Sequence, residues 1–373
     1  MSLYLPLLRP AIALGLALAT CFPAAAQILV GQTAGFSGPV AAGVKETTDG
    51  AKLYIDMVNQ KGGINGQQVK LISLDDKFVP DLARDNAKKL IEDDKVVALF
   101  LTRGTPHTQA MLPEIQKYNV PLIAPSTGAM VLHDPVIPQI FNVRATYQRE
   151  AEKAITYLAS IGVTRIAVVH ADDSFGKDAL AGAEKGFAAA KLQPAIVIPA
   201  NRAKPDFASI VPALVKSNAQ SVLWIASGKA VTDGVVGLRK TGSSAQVVTL
   251  SNNASSGFIE DLGSNGRGVV VTQVFPYEHS IAFPLVKEAQ ELAKAAHLPE
   301  ISPAMLEGFA GAKVLVEALR RAGPNPTREK ILQALDGLRY DIGGLEVRYS
   351  PTDHTGLDFA DLSIIAADGK FRR

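Results

Sequence analysis

The sequence predicts an α/β protein built as two Rossmann-like lobes with parallel sheets. Three observations carry that expectation. Apolar strand runs alternate with amphipathic helices almost throughout, the pattern that buries a parallel sheet between helical layers. The alternation occurs in two successive series, each of about one domain's length. Strand after strand also ends the same way, in small polar residues and glycine followed by a helix start. In open α/β sheets, ligands bind outside those strand ends.

Residues 1–26 read as an export leader rather than as part of the fold. Arg9 closes a short basic region, Ala11 to Ala19 is apolar, and Ala24-Ala25-Ala26 precedes Gln27 as a small-residue cleavage site. The apolar run is shorter than the roughly 20 residues a membrane span needs. Leu18-Ala19-Thr20-Cys21 partly resembles a lipoprotein site, but Thr20 before the cysteine departs from it, so cleavage after Ala26 is preferred over lipid anchoring at Cys21. Cys21 is the single cysteine, so the exported chain carries no disulfide, thiolate metal site or cysteine nucleophile.

The elements then follow in order. Ile28 to Thr33 reads as a strand leading into GFSGPV, where Ser37 stands as an N-cap or a ligand-facing hydroxyl. Ala51, Tyr54, Ile55 and Val58 fall on one helical face. Gly62 to Gly66 stops that helix and turns the chain into the strand Val69 to Leu74. Pro80-Asp81 opens a helix with Ala83, Ala87, Leu90 and Ile91 inward. Val96 to Leu101 is a buried strand that exits through Thr102 to Thr105, with Thr105 as N-cap and Pro106 starting the helix. Val120 to Gly128 repeats the theme, and the series reaches Arg144.

The second series starts with a helix from Glu150 to Ile161. It continues with the strand Arg165 to His170 and its exit ADDSFG. The strand Ser221 to Ala226 exits through Ser227-Gly228, and Val247 to Leu250 through Ser251-Asn252-Asn253. After Val274 come helices over Leu285 to Ala296, Leu306 to Arg321 and Arg328 to Leu338. Strand-like runs at Leu345 to Tyr349 and Asp361 to Ala366 close the chain. This tail is too short for a third lobe and is expected to complete the two already formed. The lobes are therefore bounded at 27–145 plus 276–347 and at 146–275 plus 348–373.

Composition and motifs exclude several classes. With 38 basic and 36 acidic residues the formal charge is +2, and no basic run stands out, which argues against nucleic acid as a partner. GQTAGFSGP has neither the lysine of a P-loop nor the spacing of a dinucleotide fingerprint. No G-x-S-x-G or H-E-x-x-H string is present. Asp75-Asp76 and Asp172-Asp173 sit at strand ends, where turn chemistry and capping account for them. Asp353, His354, Asp358 and Asp361 match no metal-ligand spacing and read as a solvated turn. Trp224 reads as core. Arg103 has two readings, a bidentate partner for a ligand carboxylate or a solvated arginine on the cleft rim. Arg144 reads as an ion-pair partner, and Tyr147 and Phe175 as loop or helix-start aromatics able to stack on a ligand. No catalytic residue, metal ligand or cofactor is expected.

GFSGPV, KGGINGQQVKL, LDD, GTPHTQ, APSTGA, FNVRATY, DDSFG and YSPTDHTGLDF, in this order, resemble one family along essentially the whole exported chain. It is the leucine/isoleucine/valine-binding type of periplasmic substrate-binding protein that serves ABC importers. The resemblance implies a type I periplasmic-binding fold with three hinge crossovers, a small-molecule ligand enclosed as the lobes close, an inner-membrane ABC permease as partner, a monomer, and a periplasmic location. A ligand-sensing module for a membrane receptor is the alternative. The family's ligand carboxylate falls on Thr105 and the Ser126-Thr127-Gly128 loop, and its second-lobe aromatic on Phe175. Departures are equally specific. Ser251 or Asn252 stands where amino-acid binders have an acidic residue, and Gly43 and Gly228 stand where they have aromatic walls. A buried ammonium without a carboxylate costs several kcal/mol. The expected ligand is therefore an organic acid, possibly aromatic, or an amide, held by Thr105, Ser126 and Arg103 in a pocket with room where the aromatic walls are missing.

Overall fold

The computed structural model describes residues 27–298 and 300–373, so the expected leader and Cys21 lie outside the described residues. The first series forms strands β1 (Gln27–Ala34), β2 (Gln68–Asp75), β3 (Ala98–Phe100), β4 (Leu122–Ile123) and β5 (Ile140–Phe141), joined by helices α1 (Ala41–Gln60), α2 (Pro80–Glu92) and α3 (Thr105–Lys117). All pairs are parallel, in the order β2-β1-β3-β4-β5. The second series forms α4 (Tyr147–Ser160), β6 (Ile166–Ala171), α5 (Ser174–Ala190), β7 (Ile196–Ala200), α6 (Phe207–Lys216), β8 (Ser221–Ile225), α7 (Lys229–Lys240), β9 (Gln246–Thr249), α8 (Ser256–Leu262) and β10 (Val270–Gln273). Its parallel strands run β10-β9-β8-β6-β7, the same winding order as the first sheet. Each sheet therefore reverses direction at one switch point, which opens a crevice at its strand ends.

The tail comprises α9 (Pro284–Ala295), α10 (Pro303–Arg321), α11 (Arg328–Leu335), β11 (Arg339–Asp341), β12 (Glu346–Arg348), β13 (Asp361–Ile365) and β14 (Phe371–Arg372). Here three expectations need correction. β13 and β14 add to the second sheet antiparallel, so that sheet is mixed. β11 and β12 join neither large sheet; they form their own hairpin, whose Val347 packs into the first-lobe core. β7 and α6 went unread in the sequence because Pro199 interrupts an otherwise strand-like run. An edge strand tolerates that proline, and β7 is an edge. Among the described residues no helix is long and apolar enough to cross a membrane.

The chain passes between the sheets three times: after β5, after β10 and before β13. The first-lobe core is organised around α1 and α10, which pack backbone to backbone. A Cβ at Gly308 would stand 1.7 Å from the Thr47 carbonyl oxygen, and one at Gly50 only 1.9 Å from that of Met305. Alanine in a helix interior ordinarily stabilises by about 1 kcal/mol over glycine. Gly308→Ala is expected to do the opposite, lowering stability by about 1–3 kcal/mol through overpacking, seen as a lower urea midpoint.

Candidate functional site

The exits of β3 and β4 carry the first-lobe side of the cleft. Both strands turn out through a left-handed, non-glycine residue, Leu101 (φ 54°) and Ala124 (φ 51°). The loops then run together: Ser126 N donates to Thr102 O at 2.7 Å, and Arg103 and Ser126 form a parallel bridge. Thr105 is not the N-cap; Gly104 is, and Thr105 and Pro106 are the first helical residues of α3. This places the Thr105 hydroxyl beside that of Thr127 at 2.7 Å. First-turn N–H groups of a helix have no intrahelical acceptor, and the dipole behind them favours negative charge.

Arg103 is buried, with 6% of its surface exposed, which rules out the rim reading. Its guanidinium donates to Ser126 Oγ at 2.9 Å and reaches across to the second lobe, where it donates to Asn252 O at 2.5 Å. Both acceptors are neutral, and none of the described carboxylates forms an ion pair with it. Arg144 is its opposite. Also buried, it pairs with the fully buried Glu150 and donates to Ser251 Oγ at 2.8 Å. Burial works against its charge, but Glu150, Tyr147 and Glu307 hold the guanidinium above its ordinary value. Glu150 is fully engaged, because it also accepts from Ser251 N at 2.8 Å and from the Thr272 hydroxyl. The Arg144 ion-pair reading stands, and Ser251 serves that network.

The lobes touch across the cleft. Lys229 N donates to Pro39 O at 3.2 Å, and Glu46 accepts from Ser256 N and Gly257 N at 3.0 and 2.9 Å. Ser174 donates to Gln109 at 2.6 Å. Gly228 (φ 52°) is a contact point rather than a missing wall, since a Cβ there would lie 1.9 Å from Pro39 O. Beside Arg103, Gly43 and Asn252 only a crevice of about 60 Å³ remains. The larger space, about 490 Å³, opens at the flank of the cleft between Phe78 of the first lobe and Arg202, Phe207, Trp224 and Ala226 of the second.

Of the ten residues singled out in the sequence, Tyr147 and Phe175 are buried in the second-lobe core, and the other eight stand at the exits of β3, β4, β8 and β9. Arg103, Thr105, Ser126, Thr127 and Asn252 present polar groups there. Asn252 Oδ1 is buried without a hydrogen-bond partner. Gly128 lets its loop approach the first crossover, where a Cβ would meet Ala145 O at 2.5 Å, and its carbonyl accepts from Tyr147 N. Tyr147 packs edge-on against Phe175, 4.8 Å between centroids, with Arg144 over its ring. The aspartate pairs do cap and turn: Asp173 accepts from Phe175 N and Gly176 N, and Asp75 and Asp76 hold the turn at Lys77 and Phe78. Ser37 is not an N-cap; it donates to Asp75 at 2.6 Å in an exposed turn. His354 is not solvated, since it stacks on Phe141 and its Nδ1 lies 2.8 Å from Ile140 O. No metal-holding cluster occurs among the described residues.

The sequence reading missed Phe78, Arg202 and Phe207 at the flank cavity; its placement of Trp224 in the core is borne out, since the side chain is buried in the second-lobe core. The exits of β2 and β7 lie at the same sheet edges as the loops it chose, so the strand-end rule applied to every strand would have reached Phe78 and Arg202. The hydroxyls of Thr105, Thr127, Ser126 and Ser251 bond to one another or to guanidinium groups, and none bonds to a histidine or carboxylate. Such a set holds and orients a ligand; it provides no activated nucleophile.

Two similar α/β lobes with a polar, buried seam define a two-lobed ligand-binding protein. The family model described as periplasmic binding protein matches residues 27–362, and the chain belongs to that family, whose members are substrate-binding proteins and not enzymes. A substrate-binding periplasmic protein from Ralstonia solanacearum is 31% identical with a TM-score of 0.85, covering 92% of this chain and 99% of its own. An extracellular ligand-binding receptor from Verminephrobacter eiseniae is 26% identical with a TM-score of 0.82, covering 93% and 100%. The Leu/Ile/Val-binding protein homolog 3 of Brucella melitensis is 24% identical over 335 residues, 88% of each chain. The expected type I fold and family resemblance are borne out.

Two outcomes test the site's electrostatics. Glu150→Ala strands the buried Arg144 charge and is expected to lower stability by about 3–5 kcal/mol, measured by denaturant unfolding. His107, in the first turn of α3, stacks on Phe78 at 4.2 Å, and burial, aided by the Arg202 and Arg103 charges, pushes its imidazole down to about 4. The unfolded chain then takes up this proton near pH 6.5 while the folded one does not, so stability falls as pH drops from about 6.5 toward 4. His107→Phe removes that liability. Relative to the wild type it is expected to gain about 2 kcal/mol between pH 7 and pH 5, read from paired urea titrations.

Proposed function

We propose that the protein captures a small organic acid in the periplasm by closing its two lobes on it and presents it to an ABC permease of the inner membrane. The observation that carries the reading is Arg103, a buried cation in the seam whose partners are all neutral. Desolvating a charge without a counter-charge costs several kcal/mol. A ligand carboxylate supplies the missing charge, and the hydroxyls of Thr105, Ser126 and Thr127 and the first-turn N–H groups of α3 add donors of the same polarity. An α-ammonium finds the reverse. Ser251 stands where a carboxylate is needed; Glu150 is spent on Arg144, Ser251 N and Thr272, and Glu307 faces the Arg144 guanidinium at 4.0 Å. Closure follows from contacts that the ligand makes with both lobes at once.

Isothermal calorimetry of the exported chain against aliphatic acids, aromatic acids, amides and leucine tests this. Carboxylates lacking an amine are expected to bind, and Arg103→Met to weaken them by about 10- to 100-fold, the worth of one charge-assisted hydrogen bond. Tight leucine binding that survives Arg103→Met overturns the reading.

A further inference from the structure

We infer that Glu46 is a clasp for lobe closure, a first-lobe carboxylate that engages the second lobe only when the two come together and so gives the closed form a standing population before a solute arrives. The inference rests on the closing of the lobes and not on what they enclose. Glu46 is half-buried on α1. Its two oxygens accept from Ser256 N at 3.0 Å and Gly257 N at 2.9 Å, the first two N–H groups of α8. The next two donors of that turn are met inside the second lobe, Phe258 N by Ser255 Oγ at 3.2 Å and Ile259 N by Ser255 O at 3.3 Å. A residue of the opposite lobe therefore completes the turn. Hydrogen bonds to an ionised acceptor are roughly twice as strong as neutral ones. The adjacent Lys45 is engaged with Asp49 at 2.6 Å, which leaves the Glu46 carboxylate to these donors.

Three further contacts fit a close approach at this point. Ser302 Oγ, at the cap of α10, donates to Glu46 Oε2 at 2.5 Å and holds the carboxylate in position from within the first lobe. Gly257 has no side chain to obstruct the contact: a Cβ there would stand 2.4 Å from Ala42 Cβ, one turn before Glu46 on α1. Ala304 N donates to Ala254 O at 3.0 Å, so α10 holds the segment leading into α8 as α1 holds its first turn. The clasp also lies one helical turn from the Arg103 crevice, because Gly43 of α1 faces it. A Cβ at Gly43 would lie 3.7 Å from Ser255 Oγ and 3.9 Å from Arg103 Nη2. Every atom of the clasp belongs to the chain, so it forms with or without a solute. It sets how much of the free chain is already closed and how slowly a closed pair of lobes reopens.

Residues 27–373 contain no cysteine, so Lys88→Cys on α2 and Lys216→Cys on α6, both exposed positions, place one spin label on each lobe. Their separation is read by pulsed electron paramagnetic resonance on chain freed of bound solute, with Glu46→Ala and Gly257→Ala as variants. Alanine is a better helix former than glycine, so Gly257→Ala leaves α8 sound and obstructs only the approach of Ala42. The labelled wild type is expected to show both a closed and an open separation. Each variant is expected to lower the closed-to-open ratio about tenfold, worth about 1.4 kcal/mol. The double variant is expected to fall no further than the lower single one, since both break the same contact. The urea midpoint of Gly257→Ala is expected not to fall. A wild type that is wholly open, or a ratio that either variant leaves unchanged, overturns the clasp. Neither result touches the carboxylate reading, which the calorimetry tests on its own.

Discussion

The molecule depends on how it treats two buried arginines. Arg144 sits on the first crossover between the lobes, and Glu150, Ser251 and Thr272 converge on it or on its partner from α4, the β9 exit and β10. Removing a partner from such a pair costs far more than the pair itself contributes, so the network specifies one position for the crossover relative to the second sheet. Arg103, by contrast, is desolvated against a hydroxyl and a carbonyl. The first charge is satisfied within the chain; the second is not. That asymmetry is what the proposed ligand role of Arg103 rests on, and it agrees with the sequence reading of Arg144, at the end of an apolar segment, as an ion-pair partner.

Much of the fold was legible because it is repetitive. Strand runs buried on both faces, such as Val96 to Leu101 and Ile166 to His170, read as continuous apolar segments, and glycine and proline mark their ends. The aspartate pairs were legible too, because a carboxylate at a strand end has nearby backbone N–H groups to accept from. What escaped was long-range. The antiparallel β13 and the separate hairpin depend on which surface the returning tail meets, and no local pattern encodes that. The missing wall at Gly228 suggested an open pocket, but Pro39 of the other lobe fills that space. An absent side chain opens room only when no backbone moves in to occupy it. Here the room lies at the β2 and β7 exits instead, around Phe78 and Arg202.

The two sheets share one winding order, and their strand exits face each other across the seam. Contacts between the lobes there are polar: Glu46 to the first turn of α8, Ser174 to Gln109, Lys229 N to Pro39 O and Arg103 to Asn252 O. Each such bond contributes about 0.5–1.5 kcal/mol net, with charged ones somewhat more, because water competes for the same groups. Their sum is comparable to the few kcal/mol that separate the conformers of a two-state protein. A seam built this way is poised, neither welded by an apolar interface nor free to swing.

Poise matters because a ligand shifts such an equilibrium only by its differential affinity for the two states. On the proposed reading Arg103 supplies that difference, since it belongs to the first lobe and its acceptor Asn252 O to the second. An anion that neutralises Arg103 in the closed seam offsets the desolvation of a charge whose acceptors are neutral, whereas in an open cleft water solvates the guanidinium. The gain on binding is therefore concentrated in the closed state.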